Sequence, residues 1–136
     1  MSGVEHGKVA IVTGASRGIG AGIVTALLDN GYRVVATATS MPRSAERELL
    51  TVDGDIAEEA TAERIVAEAL DRFGRIDTLV NNAGIFVGKS FVDYTPDDLA
   101  AVLAVNLAGF FHLTQRVVRQ MLVQESGHVL NMTASL

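Results

Sequence analysis

The junction at residues 9–20 constrains this chain most: the apolar run Val9 to Thr13 passes straight into Thr13-Gly14-Ala15-Ser16-Arg17-Gly18-Ile19-Gly20. A run of that length reads as a strand and the residues after it open a helical pattern, so the glycines occupy a tight strand-to-helix turn. Glycine lets the backbone turn sharply and approach a pyrophosphate, whose charge then rests on the positive end of the helix. In this context the loop points to a dinucleotide site, with a ligand-free glycine turn as the bland alternative. No Gly-Lys-Ser/Thr follows the loop, which argues against a phosphotransferase.

The rest of the chain repeats the same alternation. Val34 to Thr37, Leu49 to Val52, Thr78 to Asn81 and Val129 to Met132 read as further strands. Continuous apolar runs, rather than in/out alternation, mean strands covered on both faces, as in a parallel sheet. Ile19, Ile23, Ala26 and Leu27 line one face of a first helix that closes at Asn30-Gly31. A second carries Ala62, Ile65, Val66, Ala69, Leu70 and Phe73 and ends at Gly74. The third starts at a cap, Thr95-Pro96-Asp97-Asp98, and sets Leu99, Val102, Leu103, Phe110, Leu113, Val117 and Met121 on one face. Ser40 to Glu48 is a short polar connection with one helical turn or none. This order predicts an α/β fold, a Rossmann-type doubly wound parallel sheet with right-handed crossovers, ending after its fifth strand and forming one domain over 1–136.

Charge and composition narrow the partners. With 16 acidic against 11 basic residues, the net charge is −5, too acidic a balance to favour nucleic acid or an anionic membrane. The absence of cysteine rules out a disulfide framework and suits a reducing cytoplasm. The polar start, Met1 to Lys8, lacks the form of a signal peptide, and no apolar run is expected to span a bilayer. His6, His112 and His128 show no metal-ligand spacing, so no metal site is expected.

The TGxxxGxG spacing of the loop resembles the short-chain dehydrogenase/reductase family, and later features agree with it in order. Asp55-Ile56 follows the third strand, where the family holds the adenine; as a local device the Asp55 carboxylate would cap the next helix. Asn81-Asn82-Ala83-Gly84 follows the fourth strand, where the family's chain passes under the ribose and nicotinamide. The resemblance thus implies cofactor contacts from Gly14, Ser16, Arg17, Gly18, Ile19, Gly20, Asp55, Ile56, Asn82, Ala83 and Gly84. Asn106 falls on the stripe of Leu103, Phe110 and Leu113, so its amide is expected among core residues and in need of partners. The matching family asparagine sits at a helix distortion and holds a water in a proton relay.

The fit is imperfect at the end of the chain. The family's substrate-binding serine is the third residue after the fifth-strand asparagine, and Ala134 stands there, between Thr133 and Ser135. Ser135 is the candidate for that role and joins Asn106 as a candidate catalytic residue. The family's Tyr-x-x-x-Lys pair is absent: Tyr32 is followed four residues on by Ala36, and Tyr94 by Asp98. The implied activity is hydride transfer between a nicotinamide and a small-molecule carbonyl or secondary alcohol, with this chain alone expected to be inactive. The alternatives are a non-catalytic dinucleotide-binding or sensing module, or a truncation product with no function of its own. NADP is favoured over NAD because Ala38, Thr39 and Ser40 put no carboxylate at the end of the second strand, while Arg17, with Arg43 as a possible second, offers positive charge. In the family's sheet order, 3-2-1-4-5-6-7, the fifth strand is left here as an edge, so a homo-oligomer is expected.

Overall fold

Side chains on a strand alternate between faces, and here both faces of the sheet find an apolar cover. The computed structural model describes residues 7–134. Its strands β1 (Val9–Thr13), β2 (Arg33–Ala38), β3 (Leu49–Asp53), β4 (Thr78–Asn81) and β5 (His128–Asn131) form one parallel sheet in the order β3-β2-β1-β4-β5. On one face Val9, Ile11, Val35 and Leu79 pack against Ile65, Ala69 and Phe73 of α2 (Glu59–Phe73) and Leu113, Val117 and Met121 of α4 (Phe110–Gln124). On the other, Val12, Val34, Ala36 and Val80 pack against Val24 of α1 (Gly18–Asp29). The doubly wound α/β sheet is therefore as expected. β5 is the exception to two-sided cover, with three of its four residues exposed.

Several local readings shift by a residue or a face. β5 starts at His128 and ends at Asn131, one residue earlier than its apolar run suggested. Gly31, at φ +84°, takes the left-handed turn after α1, while Asn30 stays at φ −97°. The buried stripe of α1 runs through Gly20 and Val24, flanked by Ile23, Leu27 and Leu28, whereas Ile19 and Ala26 are exposed. The requirement for close approach at Gly20 turns this helix. Residues 40–48 contain no helical turn.

The third helical stretch is built in three parts: α3 (Pro96–Leu103), a π-helical turn (Ala104–Gly109) and α4. Thr95 caps it as expected: its Oγ1 accepts the Asp98 N–H at 3.1 Å, and Asp98 Oδ2 accepts the Thr95 N–H at 3.0 Å. The π turn changes the helical register, so Leu99 and Leu103 do not share the buried face of Leu113, Val117 and Met121 but are exposed. Together Pro96–Gln124 make 29 residues with a mean hydropathy of 1.3 in their most apolar window, long and apolar enough to cross a bilayer. That corrects the expectation from sequence; within this stretch Leu113, Val117 and Met121 of α4 are buried against the sheet.

Candidate functional site

In an open parallel sheet the loops that leave the carboxyl ends of the strands on either side of a topological switch point diverge and leave a crevice. Here β1 leads to a helix on one face and its neighbour β4 to the long helix on the other. The crevice is a cleft of about 640 Å³, lined by all the expected cofactor residues except Gly20.

Gly20 lies just behind it. A Cβ there would run into the Gly14 carbonyl oxygen and lie 2.6 Å from Asn82 Nδ2, so the first turn of α1 and the Asn82 turn close up only because the side chain is missing. Gly14 and Gly18 adopt φ +61° and +57°, the left-handed region that glycine enters without strain. α1 has no side-chain cap from Arg17 and no acidic residue in its first turn. Its first N–H groups and positive dipole end thus suit an anion, and the residues present fit a dinucleotide pyrophosphate.

Thr13, for which the sequence suggested no separate role, ties the two halves of this cleft together. Its Oγ1 accepts N–H groups from Asn82 at 2.9 Å and Ala83 at 2.8 Å, and Asn82 Nδ2 donates to the Gly14 carbonyl at 3.1 Å. Asp55 is exposed and its Oδ1 accepts the Ala57 N–H at 2.9 Å, closing a turn ahead of α2. It does not cap the helix, because the cap position is Glu58. Arg17 is exposed on the rim and lines the cleft with Thr39 and Ser40. Arg43 does not line it and faces a separate groove on the outer side of β3 with Arg64 and Arg72.

Asn106 differs most from expectation. It stands inside the π turn, the kind of helix distortion the resemblance implied, but it is exposed rather than buried among core residues. Its Oδ1 accepts the Ile85 N–H at 2.8 Å and its Nδ2 donates to the Ile85 carbonyl at 2.9 Å. The amide is satisfied across the site by the segment after Gly84, not by its own helix. A Cβ on Gly84 would approach Asn106 Oδ1 to 3.2 Å, and one on Gly109 would come 2.9 Å from the Ile56 carbonyl oxygen. These two glycines let the π turn settle against the cleft.

A smaller cavity of about 270 Å³ adjoins the cleft between β4, β5 and the π turn, with Asn106, Phe110, Met132 and Thr133 on its walls. Below it, Asn81 Nδ2 donates to Thr114 Oγ1 and to Asn131 Oδ1, each at 3.0 Å. Asn81 and Asn131 are register partners on β4 and β5, which is why their amides meet. The sequence signal for this pair is an asparagine at the end of each strand, legible only once the two strands are known to be neighbours. Ser135 lies outside the described residues. Among the described residues no cluster of side chains could hold a metal ion.

Residues 8–136 match the family model for short chain dehydrogenase. The chain is 36% identical over 137 residues to a 3-oxoacyl-[acyl-carrier-protein] reductase of Synechocystis, an alignment covering 93% of this chain and 56% of the relative. It is 34% identical over 140 residues to an L-rhamnose-1-dehydrogenase of Scheffersomyces stipitis, covering 93% of this chain and 54% of that protein. A solved short-chain dehydrogenase/reductase from Serratia marcescens superimposes with a TM-score of 0.85 at 38% identity, over 94% of this chain and 58% of that one. The chain thus spans little more than half the length of these relatives. With the family match running from just before β1 to the last residue, this chain belongs to the short-chain dehydrogenases.

Proposed function

We propose that this chain forms the dinucleotide-binding part of an NAD(P)-dependent oxidoreductase that acts on a carbonyl compound or secondary alcohol. The observation that carries the reading is the meeting of Gly14, Gly20 and Asn82 beneath an uncapped α1, which leaves a cleft of a dinucleotide's size. When bound, the nicotinamide supplies hydride transfer at its C4. Arg17, Thr39 and Ser40 at the cleft's rim favour NADP, since a carboxylate that would repel a 2′-phosphate is absent from the end of β2. Asn106 holds Ile85, and with it the backbone after Gly84, in place beside the cleft.

Proton transfer to the alkoxide left by hydride transfer needs an acid of suitable pKa within reach. None of the tyrosines in these 136 residues has a lysine four positions on, and Lys89 is paired with Asp98 at 2.7 Å. We therefore expect this polypeptide to bind cofactor without turnover, a behaviour that it would share with a non-catalytic dinucleotide-binding module. The chain is also proposed to self-associate, through the exposed row Leu99, Leu103, Leu107 and Phe111.

Titration of the purified chain with NADPH and NADH, followed by nicotinamide fluorescence, tests the cofactor reading. The expected result is tighter NADPH binding that weakens on Arg17→Ala. Tighter NADH binding with no response to that substitution would reverse the preference, and failure to bind either would remove the reading.

A further inference from the structure

The turn after β3 is anchored by hydrogen bonds on both sides of Ile56 but not at Ile56 itself. Before it, the Gly54 N–H donates to the Ala38 carbonyl of β2 at 3.0 Å. After it, the Ala57 N–H reaches Asp55 Oδ1 at 2.9 Å and the Glu58 N–H reaches the Asp55 carbonyl at 3.0 Å. Neither the N–H nor the carbonyl of Ile56 has a hydrogen-bond partner among the described residues, so packing sets its place. Its neighbour there is Gly109, the buried last residue of the π turn. A Cβ on Gly109 would lie 2.9 Å from the Ile56 carbonyl oxygen, 3.2 Å from the carbonyl carbon and 3.0 Å from Cγ2. Two of those three atoms are backbone, which cannot swing aside as the tip of a side chain can.

Resting on the dinucleotide reading above, we infer that Gly109 is a positioning residue for the adenosine half of the cofactor, and that the π turn braces the cleft at both ends. A 2′-phosphate beside Arg17, Thr39 and Ser40 puts the adenosine on the β2–β3 side, where Asp55 and Ile56 line the same cleft. The nicotinamide then lies toward Ala83, Gly84 and Ile85, on the β4 side. The π turn meets the first side through Gly109 and the second through the Asn106 amide, which holds both backbone groups of Ile85. Gly109 does not line the cleft itself and acts through Ile56. Any side chain at Gly109 displaces the turn against which the adenosine packs.

The test titrates the 136-residue chain separately with adenosine 2′,5′-bisphosphate and with reduced nicotinamide mononucleotide, following the backbone amide resonances. In the wild type the bisphosphate should shift the Gly109 amide, although Gly109 does not line the cleft. Gly109→Ala should weaken the bisphosphate about tenfold and leave the mononucleotide unchanged, while Asn106→Ala should do the reverse. A general loss of stability would weaken both halves alike, so the split is what positioning predicts. Equal weakening of the two halves by Gly109→Ala, or bisphosphate binding untouched by it, would overturn the inference. If Gly109→Ala fails to fold, the wild-type titration decides alone, and a bisphosphate that binds without moving the Gly109 resonance overturns it too. A wild-type chain that binds neither half nor NADPH would instead remove the cofactor reading and this inference with it.

Discussion

Adding one methyl group at Gly20 would drive it into the Gly14 carbonyl and toward Asn82, both backbone-anchored parts of the same junction. Gly22, one half-turn on in α1, has open space around the same position. Gly20→Ala should therefore destabilise the chain by about 1–3 kcal/mol and abolish NADPH binding. Gly22→Ala should stabilise by up to ~1 kcal/mol through helix propensity and leave binding intact. Urea denaturation and cofactor titration of the two variants give both readouts. Asn106 makes a different case. Had it been buried on an apolar stripe, Asn106→Leu would relieve a desolvation cost. Because it instead holds both backbone groups of Ile85 from an exposed position, the substitution should cost about 1–2 kcal/mol, measurable by the same denaturation. Equal or greater stability in the leucine variant would show that water replaces those two bonds without penalty.

At the scale of elements, the start of α3 carries its own pH dependence. The hydrogen bond from Lys89, then that from the Thr95 N–H, holds the Asp98 carboxyl below its ordinary value of 3.8. A carboxylate with a lowered folded-state pKa stabilises above its unfolded value and loses that contribution as pH falls through the folded one. Thermal melts should thus show wild type above Asp98→Asn at neutral pH, with the gap closing only below pH 3.8. A gap independent of pH would mean that the cap works without its charge. Along the helix beyond it, Leu99, Leu103, Leu107 and Phe111 are 53%, 45%, 59% and 53% exposed, a row of apolar residues at four-residue steps. Light scattering should find a dimer or larger species that Leu107→Asp converts to monomer; a wild-type monomer at high concentration would contradict this. The strands were legible in the sequence because buried parallel strands are continuous apolar runs, and the glycine loop because its context is so specific. The π turn was signalled only by the family resemblance at Asn106 and not by the apolar spacing of Ala104–Gly109, which reads as continuous helix, and so the face assigned to Leu99 and Leu103 was wrong. Asn81, Thr114 and Asn131 were hidden for another reason: their meeting depends on strand order and register.

For the whole molecule, cofactor binding and turnover should separate. NADPH should bind the 136-residue chain while carbonyl compounds cause no NADPH oxidation above a protein-free control; oxidation that vanished with Asn106→Ala would show that an acid other than the tyrosine pair suffices. The Thr13 hydroxyl gives this binding a further meaning. It receives the amides of residues 69 and 70 positions later, across the β1–β4 seam, while β2, β3 and α2 lie between them in sequence. Bringing such distant segments together is among the slower events available to a chain, since loop closure must precede the contact. The cleft therefore has no early, partly working form: its floor exists only after the central strands have docked. In a refolding experiment NADPH fluorescence would act as a clock for that seam, rising with the last step of sheet assembly rather than with the first appearance of helix.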